Sequence, residues 1–426
     1  MSGTETAEPV TRAFVIHPEL KTAQSRRDPA AVLEEALALA DALPGLEVIG
    51  GDVVRLAKLS PGHLFGKGKV TELGTMFEEA EIDLVLVDGS VTPVQQRNLE
   101  KAWNVKLLDR TGLILEIFSD RARTREGVLQ VEMAALSYQR TRLVRAWTHL
   151  ERQRGGLGFV GGPGETQIEA DRRAIDDHLG RLRKQLQKVT RTRELHRAAR
   201  AKVPFPIVAL AGYTNAGKST LFNRLTGADV LVKDMLFATL DPTMRRVELS
   251  TGDEVIMSDT VGFISDLPTE LVASFRATLE EVLDADLILH VRDISHPQSA
   301  EQAADVDGIL EGLGVSDDIV QLEVWNKIDL LSKEDQEAVR LRAARSDTAV
   351  PISAITGEGL DELIDLISAH LRPRRFEERL NLPYAQAQKR AWLHNEGVIT
   401  DESNDEDGFV LDVLWSERQK AQFAKL

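Results

Sequence analysis

The run Gly212–Ser219, with the sequence Gly-Tyr-Thr-Asn-Ala-Gly-Lys-Ser, constrains the fold of this chain more than any other segment. It follows the apolar segment Phe205–Ala211 and leads into Ser219–Leu225, a pattern that predicts a buried strand, a glycine-rich loop and the start of a helix. Glycines let the backbone turn its N–H groups toward one point, and the helix N-terminus adds partial positive charge. This arrangement predicts a cradle for phosphate groups.

The residues around the cradle indicate how a nucleoside triphosphate and Mg²⁺ would be held. Lys218 is expected to bridge the terminal phosphates and Ser219 to ligate Mg²⁺. A strand pattern ends in Asp259–Gly262, where the Asp259 carboxylate suits a Mg²⁺-bound water and the Gly262 N–H suits the γ-phosphate. Thr239 is our choice for the second Mg²⁺ ligand, with Thr243 as the alternative.

The motif Asn326–Asp329 decides which base is bound. It ends the apolar run Ile319–Trp325, and a carboxylate at Asp329 matches the two N–H donors on the Watson–Crick edge of guanine. Wrong bases leave those polar groups unpaired, which discriminates by a factor of about 10⁴ or more. Ala349–Ile355 is predicted to be a strand that leads into a loop against the base. We therefore predict GTP binding and hydrolysis.

The expected GTP contacts lie in five segments of the chain, 212–219, 237–241, 259–262, 326–329 and 353–355. They are Gly212, Tyr213, Thr214, Asn215, Ala216, Gly217, Lys218, Ser219, Phe237, Ala238, Thr239, Leu240, Asp241, Asp259, Thr260, Val261, Gly262, Asn326, Lys327, Ile328, Asp329, Ser353, Ala354 and Ile355.

No residue is assigned as the catalytic base. Phe263 and Ile264 follow Gly262, and neither side chain can orient water, so stabilisation would come from Lys218, the backbone near Gly262, a cation or a partner. Asn215 permits one such route through a monovalent cation such as K⁺. The other interpretation is that Asn215 only stabilises the loop turn. Either way, turnover of the free protein is expected to be slow.

Composition predicts a soluble protein of about three domains. The chain has 426 residues, 42% of them hydrophobic, and no apolar run of membrane-spanning length. It contains no Cys, which excludes disulfides and thiolate metal sites, and its N-terminus lacks the features of a signal peptide. We expect a cytoplasmic monomer, with peripheral association to ribosomes or membranes left open.

An alternating pattern before the GTPase segment predicts a small parallel sheet with covering helices. The expected strands are 13–16, 53–57, 84–87 and 105–108, and the expected helices are 31–43, 70–81 and 93–103. Gly66–Lys69 suggests a second phosphate loop, but it lacks the second glycine and the hydroxyl, so we interpret it as the start of a basic helix.

Two long amphipathic helices are predicted next, pairing antiparallel as an arm. Their apolar positions are Leu129, Met133, Leu136, Leu143, Trp147 and Leu150, then Ile168, Ile175, Leu179, Leu182, Leu186 and Val189. Gly155–Gly164 forms the expected exposed tip.

Residues 121–202 hold 19 Lys and Arg against 9 Asp and Glu, whereas the whole chain has a net charge of −16. The basic arm favours an RNA partner, with Arg152, Arg154, Leu157 and Phe159 as candidate contacts; a self-contained coiled coil with a linker is the alternative.

The chain resembles the HflX family of translation-factor-class GTPases over nearly its whole length. The resemblance rests on Arg110–Phe118, Gly155–Arg173, Phe237–Thr243 and Asp259–Ile264 with Leu267 and Pro268. It implies an α/β domain with a helical arm, then a GTPase domain, and binding to the large ribosomal subunit. It also implies splitting or rescue of stalled or hibernating ribosomes under stress.

The expected fold class is α/β, with a mostly parallel GTPase sheet and a small α+β appendage. We place the domain limits at 1–120, 121–202 for the arm, 203–373 for the GTPase and 374–426. The appendage is expected to contain an amphipathic segment 384–395, an acidic loop 401–407 and a strand 408–415. Two other functions stay open, a GTP-gated scaffold for a protein partner and a tRNA-processing GTPase.

Overall fold

A computed structural model describes most of the chain. The described residues are 10–21, 27–153, 163–200, 205–228, 236, 237, 240, 243–249, 252, 254–265, 267, 282–316, 319–371, 375–405, 408–416, 419, 420, 423 and 424. The chain divides into two compact units, Met1–Leu363 and Ile364–Leu426. Within the described residues, no helix combines the length and apolar composition that crossing a bilayer requires.

The first unit begins with alternating strands and helices, followed by two long helices. These elements are β1 (Thr11–Leu20), α1 (Pro29–Asp41), β2 (Leu46–Leu56), α2 (Lys67–Glu79), β3 (Leu84–Val87), α3 (Pro93–Trp103), β4 (Lys106–Asp109), α4 (Arg110–Arg121), α5 (Arg125–Gln153) and α6 (Pro163–Arg200).

The rest of the chain contributes nine strands and five helices among the described residues. They are β5 (Ile207–Gly212), α7 (Lys218–Thr226), β6 (Thr243–Glu248), β7 (Glu254–Asp259), β8 (Leu287–Asp293), α8 (Ser299–Leu313), β9 (Val320–Asn326), α9 (Lys333–Ala343), β10 (Ala349–Pro351), α10 (Leu360–Leu371), β11 (Arg375–Pro383), α11 (Ala387–Asn395), β12 (Ile399–Asn404) and β13 (Gly408–Ser416).

The first sheet has the strand order β2-β1-β3-β4 and is parallel throughout. Its elements confirm the predicted alternation, and local chemistry explains their limits. Thr92 and Gln95 form a capping box at the start of α3, which satisfies backbone N–H groups that the helix leaves unpaired. Gly66 precedes α2, and Lys69 forms ion pairs with Asp52 and Glu72. The interpretation of this segment as a helix start is confirmed.

The second sheet has the order β10-β9-β8-β5-β7-β6, in which only the β6–β7 pair is antiparallel. Strands β5 and β8 are almost wholly buried, as expected for central parallel strands covered on both faces. The mostly parallel GTPase-type sheet predicted from the sequence is confirmed. Because its strands are parallel, the loops that follow β5, β8, β9 and β10 meet at one edge.

Helices α5 and α6 pair antiparallel, as predicted. An ion pair links Arg140 to Asp176, His178 Nε2 lies 3.2 Å from the Glu132 carboxylate, and Leu179 and Leu182 are buried. The prediction for the tip needs one correction, because α6 begins at Pro163 inside the segment assigned to the loop. Proline suits the first position of a helix, where its missing N–H costs nothing. Residues 154–162 lie outside the described part of the chain.

Helix α4 contains the family motif Arg110–Phe118, but a helix over these residues was not predicted from the sequence. Most of it is buried, including Leu113, Ile114, Ile117 and Phe118, which leaves only a narrow exposed stripe at Glu116 and Ser119. Its start is nevertheless capped, since the Asp109 side chain accepts a hydrogen bond from the Gly112 N–H at 2.9 Å.

The second unit contains an antiparallel sheet with the order β11-β13-β12 and helix α11. Helix α11 and strand β13 confirm the predicted helical and strand segments. The expectation of an acidic loop was wrong for residues 401–404, which form most of strand β12. This strand lies at the sheet edge and is mostly exposed, where acidic side chains are solvated and discourage pairing with other strands.

Candidate nucleotide site

The loop between β5 and α7 has a backbone that only glycine allows at Gly217. This residue has φ 93°, and an added Cβ would lie 2.2 Å from the Asn326 side-chain nitrogen. Glycine therefore permits the close contact between the loop and the end of β9. The hydroxyl of Thr214 is buried and has no hydrogen-bond partner within the described chain. The strand, loop and helix predicted from Gly212–Ser219 are confirmed.

Lys218 is the first residue of α7 and is buried. Its ammonium donates hydrogen bonds to the carbonyl oxygens of Gly212, at 3.1 Å, and Tyr213, at 2.7 Å. Burial lowers the pKa of Lys218 to about 8, although the nearby charge of Asp259 acts in the opposite direction. The site therefore disfavours an unneutralised cation, and a phosphate group would relieve that cost.

The side chains of Ser219 and Asp259 place two oxygen atoms that can ligate a metal ion close to each other. The Ser219 hydroxyl donates to the Asp259 carboxylate at 2.7 Å, and Asp259 is fully buried. Hydroxyl and carboxylate oxygens suit Mg²⁺, so the residues present fit this ion. Thr239 lies outside the described residues, and Thr243, the alternative, opens β6 opposite Asp259 in the β6–β7 register.

Asn326 connects the phosphate loop with the loop after β10. Its side-chain nitrogen donates to the Ala216 carbonyl at 2.8 Å, and its side-chain oxygen accepts from the Ala354 N–H at 3.0 Å. Lys327 has φ 66° and pairs with Asp293 at 2.8 Å. One side chain thus fixes the distance between two segments that the sequence assigns to opposite ends of the nucleotide.

The remaining expected base contacts lie beside Asn326. Asp329 is half-buried in a 3₁₀ turn over Ile328–Leu330, and the Ile328 N–H donates to the Ile352 carbonyl at 3.3 Å. Ser353 and Ala354 are buried, whereas Ile355 is 70% exposed. The structure therefore brings these two segments together at the same sheet edge as the phosphate loop.

The segment after Asp259 lies against the phosphate loop. Thr214 N–H donates to the Phe263 carbonyl at 2.7 Å, and Phe263 N–H donates to the Gly212 carbonyl at 3.1 Å. A Cβ on Gly262 would lie 2.8 Å from Thr214 Cγ2 and 3.1 Å from Lys218 Nζ. The Phe263 side chain is apolar and buried, so it offers no group that could hydrogen-bond and orient a water molecule.

Several contacts in this region were not predicted from the sequence. The Tyr213 hydroxyl donates to Glu35 at 2.6 Å and accepts from the Ser265 N–H at 2.9 Å. Arg110 donates to the Ser265 carbonyl at 3.0 Å. Glu35 lies 178 positions before Tyr213, and no local pattern relates two residues so far apart.

Other expected residues fall outside what the structure describes. Ala238, Thr239 and Asp241 are not described, although Phe237 and Leu240 are buried beside them. Arg154, Leu157 and Phe159 lie outside the described range, and for Arg152 only the backbone is described. The candidate RNA contacts therefore stay predictions.

A glycine-rich loop between strand and helix, an Asp-x-x-Gly segment and an Asn-Lys-x-Asp segment at one edge of a mostly parallel sheet define a P-loop GTPase. Family models described as "GTP-binding GTPase N-terminal", "GTP-binding GTPase Middle Region", "50S ribosome-binding GTPase" and "HflX C-terminal domain" match residues 30–119, 121–200, 207–327 and 338–425. The chain belongs to the HflX family of GTPases, and as a member it binds and hydrolyses GTP.

Similar proteins cover most of the chain. "GTPase HflX" from Magnetococcus marinus is 51% identical over 363 residues, which are 85% of this chain and 83% of that protein. "GTPase HflX" from Escherichia coli (strain K12) is 43% identical over 380 residues, 88% of this chain and 87% of that protein. The crystal structure of SsGBP in complex with GDP covers 84% of this chain and 98% of its own, with TM-score 0.50 and 23% identity, which supports the fold.

Proposed function

We propose that this GTPase binds the large ribosomal subunit in its GTP-bound state and that hydrolysis releases it. The proposed task is to split or rescue stalled or hibernating ribosomes under stress, in the cytoplasm and as a monomer. The observation that carries the proposal is a basic helical pair attached to a GTPase core. The match of residues 207–327 to a model described as a 50S ribosome-binding GTPase gives further support.

The charge of the arm supports an RNA partner. Residues 121–202 carry a net charge of +10 in a chain whose total is −16, so phosphate attracts the arm while the remainder repels it. The arm is tied to the first sheet partway along α5, since Arg142 forms an ion pair with Asp109, the last residue of β4, at 3.0 Å. We propose that Arg152, Arg154, Leu157 and Phe159 contact ribosomal RNA, and that the chain is organised as domains 1–120, 121–202, 203–373 and 374–426.

For the nucleotide, we propose the contacts expected from the sequence. The Gly212–Ser219 backbone and Lys218 would hold the phosphates, and Asp329 with Ser353–Ile355 would hold guanine. Bound Mg²⁺ would neutralise phosphate charge, with Ser219 and Thr239 as its protein ligands. Asp329→Asn tests the base contact: GTP should bind more weakly and xanthosine triphosphate more tightly, and an unchanged preference would refute the assignment.

Asn215 supports a role for K⁺. Asn215 is exposed on the phosphate loop, and its backbone has φ 58°, in the left-handed region. We propose that a monovalent cation binds there and assists hydrolysis. Potassium should then accelerate single-turnover hydrolysis relative to sodium in the parent protein but not in Asn215→Ala. Equal rates in the two salts would leave Asn215 with a role in the loop turn alone.

The main test is co-sedimentation of the full chain with purified large ribosomal subunits. We expect binding with a non-hydrolysable GTP analogue, weak binding with GDP, and faster hydrolysis when subunits are added. Replacing Leu157 and Phe159 by Ser should weaken sedimentation without changing nucleotide affinity. Leu341→Ser is the matched control, because Leu341 is 61% exposed on α9. Binding in neither nucleotide state would contradict the proposal and favour a protein partner.

A further inference from the structure

Helix α4 contacts two segments that follow the phosphate loop in the chain. At its first turn, Arg110 Nη2 donates to the Ser265 carbonyl at 3.0 Å. Near its end, the Phe118 ring packs edge-on against Phe237, with centroids 4.7 Å apart and an interplanar angle of 86°. Ser265 follows Gly262 by three residues, and Phe237 precedes Thr239 by two. A helix outside the GTPase motifs therefore adjoins both segments expected to respond to the γ-phosphate.

Arg110 is held by two carboxylates whose side chains are largely buried. Its guanidinium lies 2.6 Å from Asp88 Oδ1 and 2.6 Å from Glu35 Oε1. Burial opposes its charge, but attraction to Asp88 and Glu35 outweighs burial and raises the pKa of Arg110 above its ordinary value. The Arg110 side chain is thus permanently charged and held in place, and it acts as the donor in its hydrogen bond to the Ser265 carbonyl.

Tyr213 completes a closed set of contacts. Its hydroxyl donates to Glu35 Oε2 at 2.6 Å and accepts from the Ser265 N–H at 2.9 Å. The backbone of Ser265 is consequently held on both sides, its N–H by Tyr213 and its carbonyl by Arg110. Glu35 joins these two residues because each of its oxygens binds one of them.

We infer that Tyr213 and Arg110 are positioning residues for GTP hydrolysis. Their side chains fix the backbone of Gly262–Ser265 relative to the phosphate loop and do not themselves contact the nucleotide; the proposed phosphate contact of Tyr213 is through its backbone. This matters here because Phe263 is buried and supplies no polar group, which leaves the backbone near Gly262 as the part of this segment able to face the γ-phosphate. The N-terminal region thereby takes part in catalysis through Glu35 and α4.

The test is single-turnover hydrolysis by the free full-length chain, so it does not depend on the ribosomal proposal. Tyr213→Phe removes one hydroxyl and keeps the ring. We expect the hydrolysis rate constant at saturating GTP to fall between about 10- and 100-fold, because small displacements of a catalytic segment have effects of this size. The dissociation constants of GTP and GDP should change by less than about threefold, because the substitution leaves in place the contacts that bind the nucleotide before reaction.

Tyr138→Phe is a matched control. The Tyr138 hydroxyl donates to Asp109 at 2.6 Å, and Tyr138, like Tyr213, has its pKa raised by burial and a neighbouring carboxylate. Its hydrolysis rate should equal that of the parent protein, even if both variants lose similar stability. Glu35→Gln is a second variant, which keeps the shape of the network and should lower the rate in the same direction as Tyr213→Phe.

Two results would overturn the inference. One is an unchanged hydrolysis rate in Tyr213→Phe when nucleotide binding shows that the protein is folded. The other is a parallel loss of rate and nucleotide affinity, which would mean that Tyr213 shapes the phosphate loop itself. If Tyr213→Phe does not bind GDP, the same two comparisons are made with Glu35→Gln.

Discussion

The Asn326 side chain donates to the Ala216 carbonyl at 2.8 Å, across 110 positions of the chain. Its oxygen accepts from the Ala354 N–H at 3.0 Å, so one amide joins the phosphate loop to the segment expected to contact guanine. Both bonds are buried, where an unpaired partner costs about 1–3 kcal/mol. We therefore expect the proposed phosphate and base contacts to be linked through this residue.

Asn326→Ala should weaken GTP and GDP alike. The substitution leaves the Ala216 carbonyl and the Ala354 N–H without their partner, and we expect both dissociation constants to rise by about 10-fold or more. Fluorescence titration with a labelled guanine nucleotide measures this. Gln321→Ala is the control, because Gln321 is an exposed amide on the same strand. A loss of affinity for only one nucleotide would contradict the proposed link.

Nucleotide affinity should depend on pH through Lys218. Burial lowers the pKa of this ammonium to about 8. The proposed contact between Lys218 and phosphate requires the charged form of the side chain. Affinity should be constant below that value and then fall as the pH rises, by at most about tenfold for each unit. GDP titrations between about pH 7 and pH 9 test this. Lys218→Met should bind weakly with a flatter profile, and any titration of the base itself would appear in both proteins.

Glu35 should contribute stability that is lost in acid. Burial alone would raise the pKa of Glu35, but the attraction of Arg110 and Arg27 lowers it below the ordinary 4.5. A lowered carboxyl pKa stabilises the fold above the ordinary value, and this contribution is lost as pH falls through the folded-state pKa.

Glu35→Gln should therefore be less stable than the parent at neutral pH, and the difference should shrink in acid. Urea unfolding near about pH 7 and about pH 3.5 measures the two free energies of unfolding. Glu301→Gln, in the first turn of α8, is the control for a general carboxylate effect. A difference that stays constant or grows in acid would show that Glu35 is not held ionised by these arginines.

Gly262→Ala should impair hydrolysis. The added methyl group would lie 2.8 Å from Thr214 Cγ2 and 2.9 Å from Thr214 Cα, so the Gly262 segment must move away from the phosphate loop. We expect a single-turnover rate at least about 10-fold lower and a destabilisation of about 1–3 kcal/mol.

Gly308→Ala provides the opposite case. Gly308 lies inside α8, and no atom stands within 4 Å of an added Cβ, so this variant should hydrolyse GTP normally. Its stability should rise by up to about 1 kcal/mol, because alanine favours the helix. If both glycine variants kept full activity, close approach at Gly262 would not matter for catalysis.

The elements that the sequence predicted best are those with a simple period or a contiguous motif. Strand β3 and helix α3 have the predicted limits, and the apolar stripe of α6 is buried at Leu179 and Leu182 as expected. Helix α4 was missed because Leu113–Phe118 is apolar and buried apart from Glu116, and a short apolar run does not distinguish a helix from a strand. Strand β12 was interpreted as a loop because an exposed edge strand tolerates the charges that usually mark loops.

The sequence by itself determined the nucleotide chemistry. Gly212–Ser219 and Asn326–Asp329 each consist of neighbouring residues, so fixed spacing along the chain is enough to predict what they bind. Only the tertiary structure decided that Glu35, Arg110, Tyr213 and Ser265 form one network. Their contact depends on how α1 and α4 lie against the segments of Tyr213 and Ser265, and packing between distant segments leaves no period or spacing in the sequence.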